Sequence, residues 1–310
     1  MKERCIIFGG AGFIGSHIAD DLLKNNLSVS VFDKLYASKQ NVQHILRKIK
    51  FIEGDFNNKV DVSESLKGHD YAVHLVSSTL PADSNLNPVY DVESNLVSTL
   101  NFLEQCVQNK IKKVIFISSG GTVYGVPNYI PIDENHPTQP TCSYGIIKLS
   151  IEKYLSLYNE LRGLKYTVLR FSNPFGERQN PHLPQGLITH LLYKIKLGHD
   201  IDIWGDGKVI RDYFYIKDGV SSVYKAMKYS GSISLFNISS GKGHSINQIL
   251  DKFKKELKLK FKVNYLAPRK FDVPVNILKN IRANKVLNWK PSTDFSTALK
   301  KTWRYICDYE

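Results

Sequence analysis

The chain has 310 residues, of which 42% are hydrophobic and 23% are charged, a composition typical of a soluble globular protein. It argues against a membrane-spanning chain, because no segment approaches the roughly 18 consecutive apolar residues of a membrane span. The formal net charge of +13 favours anionic partners, and charge alone does not separate nucleic acid from a small phosphorylated compound.

The N-terminus and the cysteines indicate a cytoplasmic protein. The first stretch, MKERCIIFGG, enters an apolar strand at once and lacks the pattern of a signal peptide. The four cysteines are far apart and form no CxxC pair, which favours free thiols over a disulfide framework or a zinc site. They are Cys5, Cys106, Cys142 and Cys307. We expect no metal site and no membrane contact.

The first half of the chain alternates short β-branched segments with longer amphipathic ones. Six segments are typical of buried strands: RCIIFGG, SVSVFDK, IKFIEGD, YAVHLVSS, KKVIFISS and KYTVLRFS. Helical patterns lie between them, at 13–26, 88–109 and 143–162. Strands that alternate with helices predict an α/β fold with a Rossmann-type, doubly wound parallel sheet. Continuous apolar strands indicate that helices cover both of its faces.

The pattern changes after residue 172. Pro and Gly become frequent in NPFGERQNPHLPQG, and the later elements are mixed and less regular. We expect a first domain at 1–172, to which the segment 211–230 returns, and a smaller mixed α/β lobe at 173–310.

A glycine-rich loop follows the first predicted strand. Gly9, Gly12 and Gly15 lie between that strand and an amphipathic helix whose first turn contains Phe13 and Ile14. One glycine allows the tight turn, the second lets the backbone approach a pyrophosphate, and the third lets helix pack on strand. The helix N-terminus then faces the phosphates with the positive end of its dipole. The loop predicts a dinucleotide-binding site.

Two strand-end aspartates extend this prediction. Asp33 ends the second strand, where a carboxylate accepts hydrogen bonds from the adenosine ribose and repels a 2′-phosphate, which favours NAD over NADP. Asp55 and Phe56 end the third strand and are expected near the adenine, although a plain turn is an equal interpretation of their spacing.

A tyrosine and a lysine form the predicted catalytic pair. Tyr144 and Lys148 are four residues apart, hence on one face of a helix. A tyrosine ordinarily titrates near about 10, and a neighbouring ammonium is expected to lower its pKa towards working pH. The pair therefore indicates a phenolic general acid and base.

Together these motifs resemble the extended short-chain dehydrogenase/reductases of the NAD-dependent epimerase/dehydratase family. The motifs are the glycine loop at 9–15, Asp33, the serine-rich SSGGTVYG at 118–125, and the Tyr144–Lys148 pair. Three later segments resemble the UDP-glucose 4-epimerase-like nucleotide-sugar enzymes: NPFGERQNP (173–181), WGDGKVIRDYFYIKD (204–218) and LNWKPSTDF (287–295). The resemblance covers nearly the whole chain and implies an NAD-binding domain, a nucleotide-sugar-binding lobe and a homodimer.

The resemblance also implies roles for individual residues. Tyr144 would take the proton of the sugar 4-hydroxyl, and Lys148 would hold the nicotinamide ribose and tune Tyr144. Asn95, in ESNLVSTLNF, matches a family asparagine near the cofactor. The substrate diphosphate would be bound by Asn173, Arg211 and Arg269.

Two positions depart from the family pattern. Many relatives carry a hydroxyl at the third residue of the serine run, which here is Gly120. Thr122 would supply it if the backbone is extended, and Ser119 would do so if the loop turns. Thr79 stands where some relatives have a lysine. The 4,6-dehydratases have an Asp-Glu pair where this chain has Gly121 and Thr122, so dehydration is not expected.

The sequence leaves two enzymatic hypotheses open. The first is a nucleotide-sugar C4 epimerase that works through a transient 4-keto sugar with bound NAD. The alternative is an NAD(P)H-dependent 4-ketoreductase of a nucleotide-linked 4-keto-6-deoxy sugar in surface-polysaccharide biosynthesis. A nucleotide-binding sensor or scaffold is disfavoured by the intact Tyr144 and Lys148. The lysine-rich run 252–262 is interpreted as a solvated face, so nucleic acid is not an expected partner.

Overall fold

The structure is a computed structural model, and it describes residues 2–81, 83–183, 185–268 and 273–309. The strands of these residues are β1 Arg4–Phe8, β2 Ser28–Asp33, β3 Lys50–Glu53, β4 Tyr71–His74, β5 Lys113–Ser119, β6 Lys165–Phe171, β7 Asn173–Phe175, β8 Ile201–Trp204, β9 Ile210–Tyr215, β10 Leu235–Ile238, β11 Gly243–Ser245, β12 Val263–Leu266 and β13 Val275–Asn276.

The helices lie mostly between these strands. They are α1 Phe13–Lys24, α2 Lys59–Leu66, α3 Pro88–Asp91, α4 Ser98–Gln108, α5 Ser143–Arg162, α6 Leu187–Lys196, α7 Ile216–Lys228, α8 Ile246–Glu256, α9 Ile281–Leu287 and α10 Phe295–Asp308. A 3-10 helix covers Gln40–Lys48, and a π-helical turn, Val92–Val97, joins α3 to α4.

A seven-stranded sheet in the order β10-β6-β5-β4-β1-β2-β3 forms the centre of the fold, and its pairings are parallel. This confirms the predicted Rossmann-type, doubly wound sheet. The strand order reverses between β1 and β4, and such a switch point leaves a crevice at the carboxyl ends of the strands. The candidate site lies at this edge.

Helices cover both faces of the sheet because its strands are apolar on both sides. In β1, Cys5 and Ile7 face a core that includes residues of α1 and α7, whereas Ile6 and Phe8 face residues of α2, α4 and α5. All four of these strand residues are fully buried. Burial on both faces explains why the strands show continuous apolar sequence.

The chain after β6 builds a smaller mixed layer. There β9 pairs with β7, β11 and β13, and β8 pairs with β12. Between these elements, α7 packs against α1 and β10 adds to the edge of the large sheet beside β6. The segment that lies with the large sheet thus includes α7 and β10.

A buried carboxylate holds this layer together. Asp212, in β9, accepts hydrogen bonds from the backbone N–H groups of Ser240 at 2.9 Å, Gly241 at 3.0 Å and Leu278 at 3.3 Å. Its side chain therefore fixes two loops against β9, the strand that also carries Arg211.

Two kinds of feature are absent from the described residues. None of their helices is long and apolar enough to cross a membrane. No group of three or more potential metal-binding side chains is found among them either.

Candidate active site

One cavity of about 1280 Å³ lies at the carboxyl edge of the large sheet and reaches into the smaller layer. Its wall is formed by the start of α1, the loop after β4, the end of β5, the start of α5, and residues of β7, α6 and β9. Each of these elements except α6 contributes a residue that the sequence analysis named, or a residue next to one. The fold thus brings together segments that are far apart in the chain.

The glycine loop has the geometry that the sequence predicts. Gly9 has a φ of 81°, in the region that favours glycine, and a β-carbon on Gly15 would overlap the carbonyl oxygen of Gly9. Gly12 is the N-cap of α1 and, being a glycine, has no side chain that could accept the N–H groups of the first turn. Phe13 and Ile14, in that turn, line the cavity. The start of α1 therefore offers free backbone donors to a ligand.

Asp33 lies beside the glycine loop and is hydrogen-bonded to it. One oxygen of its carboxylate accepts the N–H of Ala11 at 2.9 Å, and the other accepts the N–H of Lys34 at 2.9 Å. The carboxylate of the second strand thus lies directly against the glycine loop.

Asp55 and Phe56 lie in the loop after β3, outside the described lining of the cavity. The exposed Asp55 carboxylate accepts the N–H of Asn57 at 2.9 Å. The Phe56 ring is buried in the core, with its centroid 5.0 Å from that of His74 and 5.7 Å from that of Phe8. Its side chain is therefore committed to packing.

Asn95 is buried in the π-helical turn, and both ends of its amide contact protein groups. Its oxygen accepts the N–H of Ser78 at 2.8 Å, and its nitrogen donates to Asp91 at 2.9 Å. The asparagine thus holds the loop after β4, which is itself part of the cavity wall. Turns of π-helix are frequent at functional sites.

Tyr144 and Lys148 both line the cavity. The Lys148 ammonium lies 5.5 Å from the centroid of the Tyr144 ring and 4.8 Å from that of Phe116, and it donates to the carbonyl of Ile117 at 3.4 Å. α5 places the two residues on one face, as their spacing predicts.

Burial dominates the titration of this pair. It raises the pKa of Tyr144, and the nearby Cys142 and Asp91 add to the increase. It lowers the pKa of Lys148 to about 8. The net change in the pKa of Tyr144 is thus opposite in direction to the expected lowering, because burial removes the phenolate from water.

The serine-rich loop turns directly after β5. The N–H of Thr122 donates to the carbonyl of Ser119 at 3.4 Å, so the extended backbone considered for Thr122 is not formed. A β-carbon on Gly120 would overlap Leu278, whereas one on Gly121 would make only an ordinary van der Waals contact, at 3.8 Å from the Ser119 hydroxyl. Gly120 therefore points into the core and not towards the cavity.

Two hydroxyl groups of this loop remain near the cavity. Ser119 and Thr122 both line it, and the Thr122 hydroxyl is buried without a hydrogen-bond partner in the structure. Ser118, in contrast, donates to Glu152 at 2.5 Å, and Glu152 forms a buried ion pair with Arg170. Ser118 thus belongs to the support beneath the site.

The far end of the cavity contains Asn173 and Arg211. The Asn173 amide donates to the carbonyl of Asp212 at 3.0 Å, and the Arg211 guanidinium donates to the carbonyl of Val273 at 2.6 Å. Arg269, the second predicted arginine, lies outside the described residues.

The sequence analysis missed several residues of the site. Asn85, Cys142, Gln179 and Tyr213 line the cavity, and the sequence analysis gave none of them a role in the site. Asp91 was also missed, although it is four residues before Asn95 and hence on the same helical face. That spacing is a signal the sequence contains.

A parallel sheet with a glycine loop and a Tyr–Lys pair on one cavity defines an extended short-chain dehydrogenase/reductase. The profile of the NAD dependent epimerase/dehydratase family matches residues 5–239, and the chain belongs to this family.

Individual relatives cover nearly the full length. A putative UDP-glucose 4-epimerase of Methanocaldococcus jannaschii is 37% identical, over 97% of each chain. A crystal structure of a Thermotoga maritima UDP-glucose 4-epimerase with UDP-glucose is 34% identical, with a TM-score of 0.93 over 98% of this chain and 99% of that one. A dTDP-4-dehydro-6-deoxyglucose reductase of Escherichia coli is 30% identical, over 98% of each chain.

Proposed function

We propose that this protein is a nucleotide-sugar C4 epimerase that works with bound NAD. The observation that carries the proposal is that Tyr144 and Lys148 open onto one cavity whose wall runs from the start of α1 to Arg211. A dinucleotide at the glycine loop and a sugar nucleotide at Arg211 would meet at the tyrosine. The similarity to UDP-glucose 4-epimerases along the whole chain supports the same assignment.

The residues of the first domain fit NAD. The uncapped N–H groups at the start of α1, opened by Gly9, Gly12 and Gly15, suit a pyrophosphate. Asp33 would accept the adenosine ribose hydroxyls. Asp55 and the backbone of Phe56 are proposed to lie near the adenine. When bound, NAD would supply the hydride acceptor for C4 of the sugar.

The chain's own side chains would move the proton and hold the sugar. Tyr144 would take the proton of the 4-hydroxyl as hydride leaves C4, and would return it when hydride is delivered to the opposite face. Lys148 would bind the nicotinamide ribose and stabilise the phenolate. Ser119 or Thr122 would donate a hydrogen bond to the sugar oxygen, since both residues line the cavity.

The diphosphate of the substrate would lie at the far end of the cavity. Asn173 and Arg211 are the described candidates to bind it, and Arg269 remains a prediction. Asn95 is proposed to act near the cofactor by holding the loop after β4.

The test is to incubate the purified protein with UDP-glucose, UDP-galactose and their N-acetyl forms, and to measure inversion at C4. Near-stoichiometric NAD⁺ released on denaturation would support a cofactor that is regenerated within each cycle. Tyr144→Phe should retain the nucleotide and lose inversion. A protein that inverts none of these sugars would contradict the proposal.

A 4-ketoreductase is the second candidate, favoured by the similarity to the Escherichia coli dTDP-4-dehydro-6-deoxyglucose reductase. It would use the same tyrosine and lysine but would exchange its reduced cofactor at each turnover. Oxidation of added NADH or NADPH by a dTDP-4-keto-6-deoxyglucose mixture, without inversion of UDP-sugars, would favour this alternative.

We also infer a homodimer that pairs through α4 and α5. Apolar side chains on this surface are exposed, among them Val97, Leu157 and Leu161. Leu161→Glu, compared with wild type by light scattering, should shift the mass towards the monomer. A cytoplasmic location and a role in polysaccharide biosynthesis are further proposals. They are consistent with the buried free thiols of Cys5 and Cys106 and with the proposed substrate class.

A further inference from the structure

Asp91, the last residue of α3, carries a buried carboxylate with only 1% of its surface exposed. One of its oxygens accepts hydrogen bonds from the Thr79 hydroxyl at 2.6 Å and the Asn95 amide at 2.9 Å. The other accepts the Ser143 hydroxyl at 2.5 Å. None of the three donors is charged, so the carboxylate is held by neutral groups alone at these contacts.

These contacts join two walls of the cavity. Thr79 belongs to the loop after β4, and Ser143 is the first residue of α5, directly before Tyr144. The same loop is tied to α5 twice more: the N–H of Ser143 donates to Asn85 at 2.9 Å, and the N–H of Tyr144 donates to Ser84 at 3.1 Å. Asp91 is the charged member of this clamp.

The charge of Asp91 acts on the catalytic pair as well. Burial is the main cause of the raised pKa of Tyr144, followed by Cys142 and then Asp91. Burial lowers the pKa of Lys148, and Glu152 followed by Asp91 opposes that decrease. His74, on β4, is a further titratable group that interacts with Lys148, and burial keeps its pKa well below the usual range.

We propose that Asp91 is a positioning residue of this active site, whose carboxylate clamps the loop after β4 to the first turn of α5 and supplies a fixed negative charge beside Tyr144 and Lys148. The expected effect of Asp91 on kcat rests on the proposed epimerase function. The expected effect on the pKa of Tyr144 rests on the structure alone. A carboxylate can meet three donors at once because it is acceptor-only.

The first experiment measures the tyrosine directly. The ¹³Cζ signal of Tyr144, identified by its loss in Tyr144→Phe, is titrated in wild type, in Asp91→Asn and in Glu93→Gln. Glu93 is the matched control, since it is an exposed acid two residues away. We expect a lower pKa of Tyr144 in Asp91→Asn and no change in Glu93→Gln. An unchanged pKa in Asp91→Asn would overturn the electrostatic role.

The second experiment separates position from charge. Ser143→Ala removes one contact of the clamp and keeps the carboxylate. We expect it to lower kcat for inversion of UDP-sugars about tenfold, through a displaced Tyr144, while the melting temperature stays close to that of wild type. Asp91→Asn should lower kcat by about ten- to a hundredfold, with the acid limb of its pH profile shifted to lower pH.

The outcomes are distinguishable. A wild-type protein that inverts no sugar contradicts the proposed function, and the NMR titration still decides the role of Asp91. If Asp91→Asn does not fold, the Ser143→Ala variant tests the proposal. A wild-type kcat in Ser143→Ala would contradict the positioning role of Asp91. Wild-type kcat in a folded Asp91→Asn overturns it as well.

Discussion

Gly120 packs so tightly against Leu278 that a β-carbon at position 120 would overlap the leucine side chain. Leu278 is fully buried in a cluster with Val123, Tyr124 and Ile132, so it has little room to move. The glycine therefore serves the packing of the turn, and a side chain at position 120 would be directed towards Leu278 and not towards the cavity. Gly121, next to it, is the glycine that leaves space.

This relationship predicts that a serine at position 120 destabilises the protein and that a serine at position 121 does not. Gly120→Ser should lower the free energy of unfolding by about 1–3 kcal/mol through overpacking. Gly121→Ser, whose β-carbon would come no closer than 3.8 Å to the Ser119 hydroxyl, should change it by less than about 0.5 kcal/mol. Denaturant unfolding of both variants checks the prediction, and equal stabilities would contradict the orientation of the turn.

Lys148 should lower the stability of the folded protein although it is needed for activity. Its pKa of about 8 lies below the usual lysine value of 10.5, so the unfolded chain binds more protons between these values. The unfavourable contribution is therefore fully present below pH 8 and is relieved as pH rises to about 10.5. The free energy of unfolding of Lys148→Met at pH 7 should be about 1–3 kcal/mol higher than that of the wild type. The variant should also lose inversion activity.

Lys113 is the matched control for that variant. It is also buried, with a pKa lowered to about 8, but its ammonium donates to the carbonyls of Ala226 and Tyr229 at 2.7 Å each. Lys113→Met leaves these carbonyls without a donor, which offsets the gain. We expect it to be at least about 1 kcal/mol less stable than Lys148→Met. The reverse order would contradict the assignment of Lys148.

The pH dependence of inversion should follow the two catalytic groups. Because burial raises the pKa of Tyr144 above its usual value, the phenol predominates at neutral pH, and the fraction of the basic form increases as pH rises from 6. The Lys148 ammonium is lost above about 8. We therefore expect kcat/KM to rise up to about pH 8 and then to level off or fall. A profile that is flat between about pH 6 and 9 would argue against this pair as the acid and base.

Arg211 should act on binding more than on chemistry. Arg211→Gln removes one cation from the far end of the cavity and should raise KM for UDP-sugars by about ten- to a hundredfold, with a smaller change in kcat. Arg282→Gln is the control, because Arg282 pairs with Glu134 outside the described cavity wall. Equal KM values in the two variants would exclude Arg211 from the diphosphate site.

Much of this molecule follows from local sequence patterns. The β-branched segments and the helical repeats between them predicted the parallel sheet, and the spacing of Gly9, Gly12 and Gly15 predicted the turn into α1. The four-residue separation of Tyr144 and Lys148 placed both on one helical face. These features depend on the geometry of neighbouring residues, which periodicity and residue type describe directly.

The rest depends on contacts between segments that are distant in the chain. Only the tertiary structure shows that Gly120 faces Leu278, that Asp91 joins the loop after β4 to α5, and that burial sets the pKa of Lys148. The direction of a side chain out of a turn and the dielectric around a charge are set by what packs there. The sequence by itself therefore predicted the catalytic residues, and the folded chain decided their surroundings.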